Sequence, residues 1–316
     1  MAGLAGVICL ALTGCSAPGR PAAQAPAVPS PAAPTSSVRA SAVPTQAAPD
    51  ASAPPERTEP QLPIEAYLFS EAEADTLARA GVVLRRACLR RFGLDYAVNP
   101  TGPSTGPRSF TDRRYGLTDR AEAEANGYHL GDRDPRTHPV RPTPLSAEQQ
   151  QVLTGHRPEE SGPGGPELRV NGVAVPPGGC YDEAKRGLAG AGDLGPSPVA
   201  QRANLQTFKD SMAVPQVTRL FEEWSACMRN EGHAYPDPMQ AMSDPRFLGD
   251  TPTPLEIRVA TADVACKQRV GLVEAWSGVE AGLQKESIAR QQADFATALT
   301  VKTAQLTKAA AVLREQ

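Results

Sequence analysis

Six cysteines and four histidines are the side chains of this 316-residue chain with most chemistry to offer. The histidines are His129, His138, His156 and His233. None stands in an H-E-x-x-H pair, and no P-loop occurs, so their spacing nominates neither a zinc hydrolase nor a nucleotide phosphate site. Asp132-Arg133-Asp134 with His138 lacks the glycine turn and terminal Glu of a calcium loop. It reads as a polar loop. Glu222-Glu223 are adjacent on a helix and point to different faces. Trp224, His233 and Tyr235 lie close in sequence and are the candidate binding residues. No catalytic residue, metal ligand or cofactor is expected, and the chain reads as a non-enzyme.

The N-terminal sulfur chemistry is more specific. Leu12-Thr13-Gly14-Cys15 ends a short apolar run and has the form of a bacterial lipobox. There a diacylglycerol is attached to the Cys, which also carries fatty acid such as palmitate, and the preceding peptide is removed. Residues 1–14 then form a lipoprotein signal peptide and Cys15 is the lipidated mature N-terminus. The apolar run is far below the ~20 residues of a membrane span. It lacks the Lys or Arg that normally opens a leader, which points to a start further upstream. Residues 15–60 are rich in Pro and Ala with only Arg20, Arg39 and Arg57 as basic groups. Such a segment cannot bury enough apolar surface to fold, and it reads as a disordered tether holding a domain away from a membrane.

Net charge is −3, with basic and acidic groups interspersed. That argues against nucleic acid as a partner. Cys88, Cys180, Cys227 and Cys266 remain as an even set in an exported chain, which reads as two disulfides. Four cysteines allow three pairings. An internal repeat chooses among them: Ala87-Cys88-Leu89-Arg90-Arg91-Phe92-Gly93-Leu94-Asp95-Tyr96 and Ala226-Cys227-Met228-Arg229-Asn230-Glu231-Gly232-His233-Ala234-Tyr235 share A-C-[LM]-R-x-x-G-x-x-Y. Each copy precedes one later Cys near a Gly-Leu. Two copies of one module predict Cys88–Cys180 and Cys227–Cys266.

The elements that position these groups are mainly α. Ser70 and Glu73 form a capping box opening a helix to about Phe92, with Leu77, Leu84 and Cys88 on one face. A second runs from about Val217 to Asn230, with Val217, Phe221, Trp224 and Met228 on its apolar stripe. Residues 94–179 are a loop-rich insert with short helical segments capped by Asp119 and Ser146. Asn171-Gly172 within Leu168–Val175 signals a small β-hairpin with a type I′ turn. From about Pro254 to Glu315 the chain reads as a long C-terminal helix. After Gly282 its apolar positions become sparse and recur at seven, a weak coiled-coil pattern. This predicts an arm that meets an envelope protein partner and stays outside the core; an arm folded back on its own domain as an antiparallel hairpin is the alternative, with Gly271, Gly278 and Gly282 as points where the helix can bend. The domains expected are therefore a first Cys module over 61–212 and a second over 213–316.

Tyr115-Gly116-Leu117-Thr118-Asp119, Gly127-Tyr128-His129, Val175-Pro176-Pro177-Gly178-Gly179-Cys180, the stretch from Cys227-Met228-Arg229 to Tyr235-Pro236-Asp237-Pro238, and Ala262-Asp263-Val264-Ala265-Cys266-Lys267 are, with the lipobox, the most distinctive runs. Together they resemble exported lipoproteins of actinobacteria such as streptomycetes, over most of residues 70–290. The resemblance implies a lipid-anchored location on the outer face of the cytoplasmic membrane and no activity. The sequence thus predicts a non-catalytic extracellular lipoprotein that binds a protein or cell-wall component. A lipoprotein capturing a small molecule for a transporter is the alternative.

Overall fold

Side-chain caps start five of the ten α-helices among the described residues. Ser70 Oγ accepts the Glu73 amide at 3.2 Å while the Glu73 carboxylate accepts the Ser70 amide at 2.8 Å, opening α1 (Glu71–Arg90). Asp119 caps α2 (Arg120–Asn126), and Ser146 with Gln149 forms a second capping box for α3 (Ala147–Thr154). Asn171 and Gly172 both take positive φ (50° and 78°) between β1 (Arg169–Val170) and β2 (Val173–Ala174), which pair antiparallel. The hairpin needs those angles for its two-residue turn. Next come α4 (Gly179–Ala189), α5 (Pro198–Met212), α6 (Pro215–Asn230) and α7 (Pro238–Met242). The last three helices are α8 (Pro254–Val270), α9 (Leu272–Arg290) and α10 (Gln292–Arg314). The computed structural model describes residues 59–97, 105–140, 143–157, 168–190 and 192–315. Cys15 and the expected tether up to residue 58 lie outside the described residues.

The protein is mainly helical, with the small hairpin inside the loop-rich insert and a 23-residue helix at its C-terminal end. Cys88 is joined to Cys180 and Cys227 to Cys266, across 92 and 39 residues. By the chain-entropy account each bridge removes about 4–5 kcal/mol of freedom from the unfolded chain. The first staples α1 to α4 and the second α6 to α8. The largest core cluster gathers Trp224, Met228, Trp276 and Phe247 around the second bridge. A smaller one gathers Leu89, Phe92, Val152 and Leu153 around the first.

Two expectations are corrected. The described residues from Glu59 to Glu315 form one compact unit, so the boundary at 212/213 does not separate two bodies. Helix α10 packs on α1 and α4 of the first segment. The C-terminal segment is also not one continuous rod with a projecting arm. Gly271 ends α8 in a left-handed conformation (φ 63°), which glycine adopts without steric penalty. A second break falls at Gln291 (φ −122°, ψ 36°), between α9 and α10. Beyond Gly282, Gln284, Ser287, Phe295, Ala298, Gln305 and Ala309 are buried.

The sparse apolar pattern misleads for a physical reason: this helix packs with Ala, and its buried amides bond backbone. Gln284 Oε1 accepts the Ile64 amide at 3.0 Å. Gln305 donates to the Asp193 carbonyl at 2.8 Å and accepts the Gly195 amide at 3.2 Å. Phe295 meets Tyr67 edge to face at 4.7 Å between centroids.

Candidate functional site

Three buried carboxylates on α8 and α9 reach out of the helices and grip the insert between Thr111 and Leu130. Glu256 is fully buried and bonds the His129 ring at 2.7 Å and the Tyr128 amide at 2.9 Å. The other His129 nitrogen meets the Gly249 carbonyl at 2.8 Å. Asp263, also fully buried, accepts the Trp224 indole N–H at 3.0 Å, the Tyr128 hydroxyl at 3.2 Å and the Lys267 ammonium at 2.8 Å. Lys267 also donates to the Leu117 carbonyl at 3.0 Å. Glu280 bonds Arg114 through two oxygens and accepts the Tyr115 hydroxyl at 2.8 Å and the Gln284 amide at 2.9 Å. Burial pushes the Asp263 carboxyl up and the Lys267 amine down, each toward its neutral form. Burial, with the Asp263 charge beside it, also raises the Tyr128 hydroxyl far above the usual range.

Two glycines make this close approach possible. A Cβ on Gly116 would lie 2.4 Å from Lys267 Nζ, and one on Gly127 would lie 2.7–2.9 Å from the Glu256 carboxyl group. Gly127 also has φ 57°, where a side chain is strained. Gly127→Ala is therefore expected to lower stability by about 2 kcal/mol. An unchanged chemical-denaturation midpoint would show that the α2 turn can slide away from Glu256.

The candidate binding trio does not converge. Trp224 is fully buried in the core and its indole is held by Asp263. His233 is half-buried, and burial shifts its imidazole toward the neutral form. Tyr235 belongs to a local latch: its hydroxyl donates to Asp244 at 2.7 Å and accepts from Arg246 at 2.8 Å. Burial and the Asp244 charge raise that hydroxyl to about 12. Trp224 lies within α6, and His233 and Tyr235 follow the end of that helix, but the Trp224 side chain points into the core.

The latch is one of a pair that sequence reasoning passed over. Asp134-Pro135-Arg136 and Asp244-Pro245-Arg246 make the same Asp–Arg hydrogen bonds. In both, the Arg amide donates to Asp Oδ1 at 2.9 Å, its Nε to the same oxygen at 3.0 Å, and a terminal nitrogen to Oδ2 at 2.6 Å. The guanidinium holds each carboxyl well below the ordinary range. The repeated Asp-Pro-Arg triplet was the signal.

Two glycine spacings also invite catalytic readings. Gly190-Ala191-Gly192-Asp193-Leu194-Gly195 matches G-x-G-x-x-G, but it follows helix α4, whereas a dinucleotide turn must follow a strand. Gly102-Pro103-Ser104-Thr105-Gly106 matches G-x-S-x-G, and Ser104 lies outside the described residues. The residues described before it, 91–97, form turn and irregular chain, not the strand of a nucleophile elbow.

A cleft of about 480 Å³ opens between the 3₁₀ turn Pro63–Tyr67, the start of α1 and residues 108–110. Leu68, Phe69 and Phe110 give it an apolar floor, with Glu65 and Asp75 also in its wall. Among the described residues, no group of three or more His, Cys, Asp or Glu side chains is placed to hold a metal ion. Among the same residues, no helix is long and apolar enough to cross a membrane. The buried carboxylates are instead bonded to groups of the protein itself, an arrangement that locks the insert onto α8 and α9. Comparison with protein-family models, curated proteins and solved structures finds no match for this chain.

Proposed function

We propose that this protein is a lipid-anchored module of the cell envelope, held on the outer face of the cytoplasmic membrane through Cys15 and a Pro/Ala-rich tether. Its work there is non-catalytic binding of a protein partner or a cell-wall component. The observation that supports this best is the pair of disulfides, Cys88–Cys180 and Cys227–Cys266. Disulfides of this kind persist in oxidising compartments and are rare in the cytosol. Leu12-Thr13-Gly14-Cys15 supplies the anchor chemistry at the other end of the chain.

The test is Cys15→Ser in cells that export the protein. The variant is expected to move from the membrane fraction to the medium, or to accumulate unprocessed. Unchanged membrane partition rejects the anchor. Crosslinking in the envelope then identifies what the module touches. The cleft floored by Leu68, Phe69 and Phe110 favours a second reading, capture of a small apolar molecule, because its size suits a compact ligand. Ligand-dependent thermal stabilisation that Phe110→Ala abolishes would support that reading over protein binding.

A further inference from the structure

We propose that Asp263 and Lys267 are joined by a side-chain amide, formed by condensation of the Asp263 carboxyl group with the Lys267 amine. The two residues sit one turn apart on α8, at the spacing that places side chains on the same face. Asp263 is fully buried and Lys267 is 2% exposed, with Nζ 2.8 Å from Oδ2. In that dry setting burial favours the acid and the free amine, the two forms that condense. The absent side chain of Gly116 leaves room for the amine to reach this position.

The surrounding donors and acceptors suit both the reaction and its product. Lys267 Nζ attacks Asp263 Cγ, the new C–N bond forms and the Cγ–Oδ2 bond breaks. Oδ2 leaves as water, taking one proton from the carboxyl group and one from the amine, so no oxidant or activating group is required. The Tyr128 hydroxyl donates to Oδ2, the departing oxygen, at 3.2 Å. The Trp224 indole N–H donates to Oδ1, the retained oxygen, at 3.0 Å. It therefore steadies the charge that builds there in the tetrahedral intermediate. Once the amide has formed, its N–H keeps the Leu117 carbonyl, now 3.0 Å from Nζ, and its C=O keeps Trp224. Tyr128 and Trp224 are positioning residues. The product replaces two buried polar groups, each costly to desolvate, by one neutral amide with its hydrogen bonds already placed.

The experiment is mass spectrometry of the full chain purified from exporting cells, with disulfides reduced. The expected intact mass is one water below that of the chain beginning at Cys15 with its lipid. Trypsin is expected to fail after Lys267, giving a single peptide Val259–Arg269 lighter by one water, and Lys267→Met is expected to restore the full intact mass. A full-mass chain cut normally after Lys267 overturns the proposal. So does a one-water loss with normal cutting after Lys267, which would place the loss in a succinimide instead. The peptide Val259–Arg269 reads the amide whether or not Cys15 is lipidated.

Discussion

A chain ending at Gly282 is expected not to fold. The cut removes α10 and the last turns of α9, and with them Phe295, Ala298, Gln305 and Ala309 from the core. Loss of a buried Phe side chain alone costs about 3–5 kcal/mol. The whole domain has about 5–15 kcal/mol to lose. The truncation also strips the partner from the Ile64 amide and opens the α1–α4 surface that α10 covers. Circular dichroism should show no cooperative melt. A truncated protein that melts within a few degrees of the full chain would mean that α10 is an appendage after all.

Glu280→Leu should cost about 3–5 kcal/mol, because it leaves a cation without its counter-ion in a largely buried place. Arg114 is sandwiched by Phe110 and Phe208, at 5.0 and 4.7 Å from the ring centroids, and Glu280 bonds it through both carboxylate oxygens. The Tyr115 hydroxyl loses its acceptor in the same step. Replacing both members, Arg114→Met with Glu280→Leu, should recover most of the loss, since the uncompensated charge is gone. Urea midpoints of the two singles and the double measure this. Strict additivity would show that the pair is not coupled.

What could be read beforehand was the local chemistry. Capping boxes at Ser70 and Ser146, the cap at Asp119 and the Asn171-Gly172 turn each depend on a few neighbouring residues, so their physics is complete within the window that sequence reading uses. The cysteine pairing was legible because the chain repeats itself around Cys88 and Cys227. The buried carboxylates were not. Glu256, Asp263 and Glu280 look like ordinary acids of a solvated helix, and several of their partners lie more than a hundred residues away. Fragments such as Tyr115-Gly116-Leu117, Gly127-Tyr128-His129 and Asp263 to Lys267 stood out singly as distinctive runs. Only the fold brings them into one network. The C-terminal helices failed the same way, since Ala contacts and glutamine-to-backbone bonds leave no apolar stripe to count.

The packing of α10 has a mechanical consequence. The 3₁₀ turn Pro63–Tyr67, a few residues after the described chain begins at Glu59, is held by the last two helices: Ile64 by Gln284 of α9, Tyr67 by Phe295 of α10, and the Ala66 carbonyl by Lys302 of α10 at 3.3 Å. Lys302 also pairs with Glu73 on α1 at 2.9 Å. A pull on the chain at Glu59 therefore enters the domain through its last two helices before it reaches the first disulfide. Tension is shared by the two termini of the fold, and shear between α1 and α10 is what resists it.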